Sequence, residues 1–187
     1  FADRNRVERE ETFELPAAAR DRFLMEISID LPSDEADRRR LAFDRRFHDV
    51  DRLVGEVPVG LVDHTALGRI AEAIQAFVRT SETLERYVVA LWDALRRPYA
   101  HGIDIADVDV ERLVSGGASP RGLSYLVRAA RVTAWLNGRD MVVPEDLRAV
   151  FHETMGHRIF LEPVYEMRRE PIVRALCDAV FEKVAAP

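Results

Sequence analysis

What most constrains this chain is a succession of apolar stripes at helical spacing, each opened by a residue suited to start a helix. Leu67, Ile70, Ile74 and Phe77 follow Thr65 at i, i+3, i+7 and i+10, and Leu84, Val88, Leu91 and Leu95 follow Ser81 until Pro98 ends the pattern. The sharpest start is Ser119-Pro120. The serine hydroxyl can accept from a free N–H of the first turn, and proline at the first helical position has the right φ and no donor to lose. Leu123, Leu126, Val127, Ala130 and Ala134 form the buried face of that helix, and Gly138 after Asn137 stops it. Val143-Pro144-Glu145-Asp146 opens another, with acids where the helix dipole favours them and Leu147, Val150 and Phe151 to bury; a final helix follows Pro171. Such stripes bury only against one another, so the chain is expected to be mainly α, helix packed on helix.

The N-terminal thirty or so residues differ. Leu15 to Phe23 suits a short helix, and Met25, Ile27, Ile29 and Leu31 then alternate with Glu26, Ser28 and Asp30, the period of a strand. A single strand has no partner for its backbone groups, so a larger sheet is expected to supply one, in keeping with the lack of an initiating Met at Phe1. Ser33 is the expected cap of a helix from Asp34 to Arg46. The stretch from His101 to Gly117 reads as loop, with a short helix around Val110 to Val114.

Composition excludes several classes. Of the 27 basic residues only Lys183 is lysine, and 33 acids outnumber them, giving a net charge of −6 and no basis for non-specific nucleic-acid binding. The longest apolar run, Tyr87 to Trp92, is far too short to span a membrane. One cysteine, Cys177, cannot form an internal disulfide, so a reducing compartment, the cytoplasm, is expected. Cys177 lies on an apolar helix face, as a small core residue would. The histidines at 48, 64, 101, 152 and 157 are scattered, and His152 and His157 are five apart, so solvated or helix-end roles are expected and no metal site. Arg38, Arg39, Arg40, Arg45 and Arg46 sit among Asp34, Glu35, Asp37, Asp44, Asp49 and Asp51, which makes a salt-bridged, solvated face. No phosphate-binding glycine loop or nucleophile elbow is present in the chain.

Three residues stand out against this background: Asn5, beyond the apolar start; Arg22, between Asp21 and Phe23 just before the strand pattern; and Arg121, at a helix N-terminus where the dipole disfavours a cation unless an anion is near. Their setting is the series of blocks Phe1 to Glu8, Glu10 to Phe23, Ser119-Pro120-Arg121, Gly138 to Leu147, and His157-Arg158. In this order the blocks resemble the MoxR family of AAA+ ATPases from Phe1 to about Tyr165.

The resemblance implies a C-terminal portion of such a protein: a remnant of the α/β core at residues 1–31, with the end of the sensor 1 strand, the arginine-finger helix and the last strand, and then an all-α helical lid at 32–187. It implies that Asn5 is the sensor 1 residue orienting the attacking water, that Arg22 is the arginine finger acting in trans on a neighbour's nucleotide, and that Arg121 is sensor 2. The parent protein is then expected to use ATP and Mg2+, to form a ring homo-oligomer, commonly a hexamer, and to remodel or activate a client protein or metalloenzyme, often with a von Willebrand A-domain partner. The Walker A and Walker B motifs are absent from these residues, so the chain alone is expected neither to hold ATP tightly nor to hydrolyse it.

There are departures from the family pattern. Arg4-Asn5-Arg6 stands for the usual Gln-Asn-Pro, Glu10-Glu11-Thr12 for Glu-Gly-Thr, and Gly122 for an Ala, which on propensity alone loosens the first helical turn. Two other readings remain open on the sequence: a non-catalytic helical interaction module, and a magnesium-chelatase-type motor subunit, which shares the Asp-Arg-Phe and Ser-Pro-Arg features.

Overall fold

The computed structural model describes residues 2–3 and 15–187, so Asn5 lies outside the described residues. By packing, the chain divides into two compact units. One comprises the described part of Phe1–Glu26 with Ile74–Pro187; the other is Ile27–Ala73. The cut at residue 31 is a division by family architecture, whereas these units follow contacts.

The short helix α1 spans Ala17–Arg20, inside the expected segment. The smaller unit holds α2 (Glu35–Phe43), a 3-10 turn at Arg45–His48, α3 (Val50–Glu56) and the start of α4 (Leu67–Phe77). Here two details differ from expectation. Asp34, not Ser33, caps α2, its carboxylate accepting from Ala36 N, and the helix stops at Phe43 because Asp44 turns to cap Arg46 N at 3.0 Å. The expected strand over Met25–Leu31 is extended chain with no ladder, and Ile29 is 95% exposed. Alternation specifies a strand only when another strand lies alongside, and no described residue supplies one.

In the larger unit the stripes that follow Ser81, Ser119 and Val143 fold as read, whereas of the α4 stripe only Ile74 is buried and Leu67, Ile70 and Phe77 stay exposed. Ser81 Oγ accepts from Leu84 N to start α5 (Glu82–Arg96), and Pro98 follows its end. Between α5 and the next helix the chain makes a 3-10 turn at Val110–Arg112 and an unforeseen strand, β1 (Val114–Gly116), which pairs antiparallel with β2 (Phe160–Leu161). Ser119 caps α6 (Pro120–Leu136), Gly138 follows it at φ +72°, and α7 runs over Pro144–Met155. After β2 come α8 (Pro163–Glu166) and α9 (Arg169–Lys183).

Helices α6 and α7 form an antiparallel-type pair joined by a short turn, with α5 against α6 and α9, and α7 against α9. Their facing stripes make one core: Leu91 and Leu95 from α5, Leu126, Ala130 and Ala134 from α6, Leu147 and Met155 from α7, and Leu176 and Val180 from α9 are all fully buried. Phe151 of α7 meets Phe181 of α9 edge to face at 4.9 Å. A parallel bridge, Arg79 N to Asp140 O and Val142 N to Arg79 O, pins the α4–α5 connection to the α6–α7 turn. The Asp146 side chain, 1% exposed, receives both Arg139 Nη atoms and Val143 N, and so fixes the start of α7. Cys177 is buried as expected of a core residue, and burial pushes its thiol up to about 12. None of the described helices is long and apolar enough to cross a membrane.

Leu91→Ala, at 0% exposure, should cost about 3 kcal/mol in equilibrium denaturation, whereas Leu136→Ala, at 71% exposure, should change stability by less than about 0.5 kcal/mol.

Candidate functional site

Two of the three singled-out residues lie at one junction, where the segment after α1 meets the first turn of α6. The centre of that junction is Asp21. Its Oδ2 accepts from the Ser119 hydroxyl at 2.7 Å and from Arg121 Nη1 at 3.4 Å, and its Oδ1 accepts from Arg158 Nε at 3.2 Å. Ser119 Oγ in turn accepts from Arg121 N, so the hydroxyl that caps α6 also touches the carboxylate from the other side.

The anion that a cation at the start of a helix demands is thus Asp21. Arg121 remains 49% exposed beside it, a weak and releasable ion pair. Arg22, the next residue after Asp21, is exposed, and no hydrogen bond or ion pair ties its side chain among the described residues.

Arg158, by contrast, is completely buried. It lies in the 3-10 turn Gly156–Arg158 that follows α7. Its Nη2 donates to the carbonyls of Asp21 and Phe23, its Nη1 to those of Thr154 and Leu24, and its guanidinium lies 5.2 Å from the centre of the Tyr125 ring. Burial works against the charge of this arginine and the Asp21 carboxylate works for it. A fork of donors facing carbonyls and a carboxylate is a geometry that arginine meets and lysine does not.

Two neighbours complete the clamp. Arg20 donates from Nε and Nη2 to His157 O, at 3.2 and 2.9 Å, and stacks over Phe160. The imidazole of His157 sits with Nδ1 3.1 Å from Glu153 O and Nε2 3.3 Å from Phe23 O. It is therefore neither solvated nor at a free helix end, in contrast to the expectation, and burial together with the Arg158 charge lowers its pKa from 6.5 to about 4. Glu26 N donates to Glu153 O at 2.9 Å, which closes the contact between the segment and α7.

Gly122 also has a different meaning from the one its helix propensity suggests. A Cβ built there would lie 2.7 Å from Arg158 Cδ and 3.1 Å from Ala118 Cβ, so the glycine makes room for the arginine rather than loosening the turn. In the sequence, Asp21 and Arg158 stand only within the blocks Glu10 to Phe23 and His157-Arg158, with no role of their own. The available signals were the acid beside Arg22 and a glycine at a site where alanine is the better helix former.

Comparison with known proteins agrees with this architecture. Residues 107–176 match the AAA lid domain family. The whole chain is 63% identical to the protein MoxR of Methylorubrum extorquens, covering 54% of that protein, and 31% identical to the chaperone MoxR1 of Mycobacterium tuberculosis, covering 46% of it. A crystal structure of a candidate ATPase from Cytophaga hutchinsonii superposes with a TM-score of 0.75 at 28% identity, over 98% of this chain and 52% of that one. The chain belongs to the MoxR family of AAA+ ATPases and carries its helical lid. It spans about half the length of the curated relatives it matches.

Two measurements follow from the junction. His157 is neutral in the fold to about pH 4, while the unfolded chain binds a proton near 6.5. Its contribution is therefore complete above pH 6.5 and is lost as the pH falls towards 4, by about 3 kcal/mol at most. Urea titrations over that range should show the loss, and His157→Gln should flatten it; an equal slope in the variant would contradict the buried neutral imidazole. Gly122→Ala should destabilise by about 1–3 kcal/mol through overpacking against Arg158, where a gain in stability would mean that the site has room.

Proposed function

We propose that this chain is the sensor-and-lid part of an ATP-driven remodeller of the MoxR type. In this reading the parent protein is a cytoplasmic ring homo-oligomer, commonly a hexamer, that hydrolyses ATP with Mg2+ and converts the hydrolysis into activation or rearrangement of a client protein or metalloenzyme. A von Willebrand A-domain protein is the partner that the family resemblance suggests.

The roles of the residues are those that the family resemblance implies, and their exposure and charge support them. Arg22 would reach the nucleotide of the neighbouring subunit, where its fork of donors spreads over the charge developing on the γ-phosphate. Arg121 would be sensor 2 and answer to a nucleotide phosphate; Asn5 would be sensor 1, outside the described residues. The observation that carries the reading is the combination of a clamped backbone with an exposed Arg22 side chain that has no partner among the described residues, one residue from the carboxylate that holds Arg121. Phosphoryl transfer is catalysed chiefly by positioning and electrostatics, and an arginine is effective there when its base is fixed and its head is unpaired.

Fit to the implied ligands is uneven. Arg121, half-exposed and held by one oxygen at 3.4 Å, can exchange Asp21 for a phosphate oxygen while Ser119 and Arg158 keep the carboxylate satisfied. The described residues hold no group of three or more His, Cys, Asp or Glu side chains placed around a cation, so they do not fit the magnesium and no step is assigned to it. ATP would be cradled by parts of the parent protein other than these residues, and the isolated chain would not hydrolyse it.

The test is turnover by the full-length protein in its assembled ring. Arg22→Ala should lower kcat by about 10³-fold, and Arg121→Ala should weaken hydrolysis or its response to nucleotide. Unchanged turnover for Arg22→Ala would remove the arginine-finger role, and an unaltered response for Arg121→Ala would leave that residue a structural arginine of the lid.

A further inference from the structure

The carbonyls held by Arg158 Nη2 belong to Asp21 and Phe23, the residues immediately before and after Arg22. Nη1 holds the next carbonyl, Leu24 O, and Nε holds the Asp21 carboxylate. A buried guanidinium is a poor way to gain stability, since apolar side chains of similar volume fill such a space at least as well. What it does supply is several directed bonds from one rigid plane. Here they are directed at the backbone on both sides of a single residue, whose own side chain stays exposed.

The same assembly touches the start of α6 in two places. Asp21 Oδ2 meets Ser119 and Arg121, and the aliphatic stem of Arg158 passes the bare Cα of Gly122. Asp21 and Arg158 therefore connect the base of Arg22 to the helical turn that bears Arg121.

We propose that Arg158 is a positioning residue: through Asp21 and the carbonyls of Asp21 and Phe23 it locks the base of Arg22 to the first turn of α6, so that Arg22 and Arg121 move as one piece. This rests on the arginine-finger and sensor 2 reading above. Its consequence is that when Arg121 exchanges Asp21 for a nucleotide phosphate, a displacement of the first turn of α6 is delivered through Ser119, Asp21 and Arg158 to Arg22.

The experiment is a kinetic cycle in the full-length, ring-forming protein with Arg22→Ala, Arg158→Lys and the double variant. Lysine keeps the charge and the stem but cannot span the carbonyls from one ammonium. Arg158→Lys should lower kcat by about tenfold or more with KM for ATP within about threefold, as misplacement of a transition-state contact does. The double variant should turn over no more slowly than Arg22→Ala alone, because one residue acts through the other. Overturning results are a kcat for Arg158→Lys within about twofold of the parent, or losses that multiply in the double variant. If Arg22→Ala alone leaves turnover unchanged, it is the arginine-finger reading that fails; if it is impaired and the losses multiply, only the positioning role fails. Should Arg158→Lys not fold by circular dichroism, Asp21→Asn, which keeps the size and the Ser119 contact, carries the same cycle with the same criteria.

Discussion

The interaction on which the rest of this structure depends is the burial of one guanidinium. Arg158 is fully enclosed, and a charge in that position is tolerable only when its donors are met. They are met by the Asp21 carboxylate and by carbonyls of residues 21, 23, 24 and 154. Several otherwise separate features follow from that requirement. The chain after α1 must lie against α7 to present its carbonyls. Residue 122 must lack a side chain. The cap of α6 must be small and hydroxylic, so that Ser119 can serve the helix and Asp21 at once.

Around this polar junction the lid itself is conventional helix packing. The α5, α6, α7 and α9 stripes exclude water from a single core, and the bridge between Arg79 and Met141 and the pair Arg139–Asp146 hold the turns at its far side. The division of labour is physical. Apolar burial gives the lid its rigidity without direction, whereas the bonds at Asp21 and Arg158 have direction and determine where a short exposed arginine stands. In the MoxR-type reading, rigidity and direction together turn a nucleotide-dependent shift into a displacement of Arg22.

The parts legible in the sequence were those whose determinants are local. Ser81, Ser119 and Pro120 sit within one turn of the helices they start, and the stripes of α5, α6 and α7 repeat within a few residues, so propensity, capping and burial agree. Arg121 was legible as a misfit with the helix dipole, yet its partner is 100 residues earlier, and nothing local names it. Arg158 is legible only as half of the His157-Arg158 block, and its importance appears only when three carbonyls from a distant segment join that of Thr154 around it. Gly122 is visible in the sequence, but helix propensity alone makes it a defect, because the atom that needs the space belongs to a residue 36 positions away. The alternation at Met25–Leu31 is the pattern of a strand, but the segment is extended chain rather than a paired strand, since pairing is a property of two segments and no described residue provides the second.

The central claim, that Arg158 docks the segment bearing Arg22 onto the lid, is tested most directly by amide hydrogen exchange on the 187-residue chain. Glu26 N–H, which donates to Glu153 O at 2.9 Å, lies at the end of the docked segment, and the Ile29 amide lies in extended chain just beyond it. The account predicts that Glu26 exchanges slowly, through the same opening that exposes the amides of α7, while Ile29 exchanges at the rate of unstructured chain. Equal, fast exchange at Glu26 and Ile29 would mean that the segment is not held, and would contradict the account.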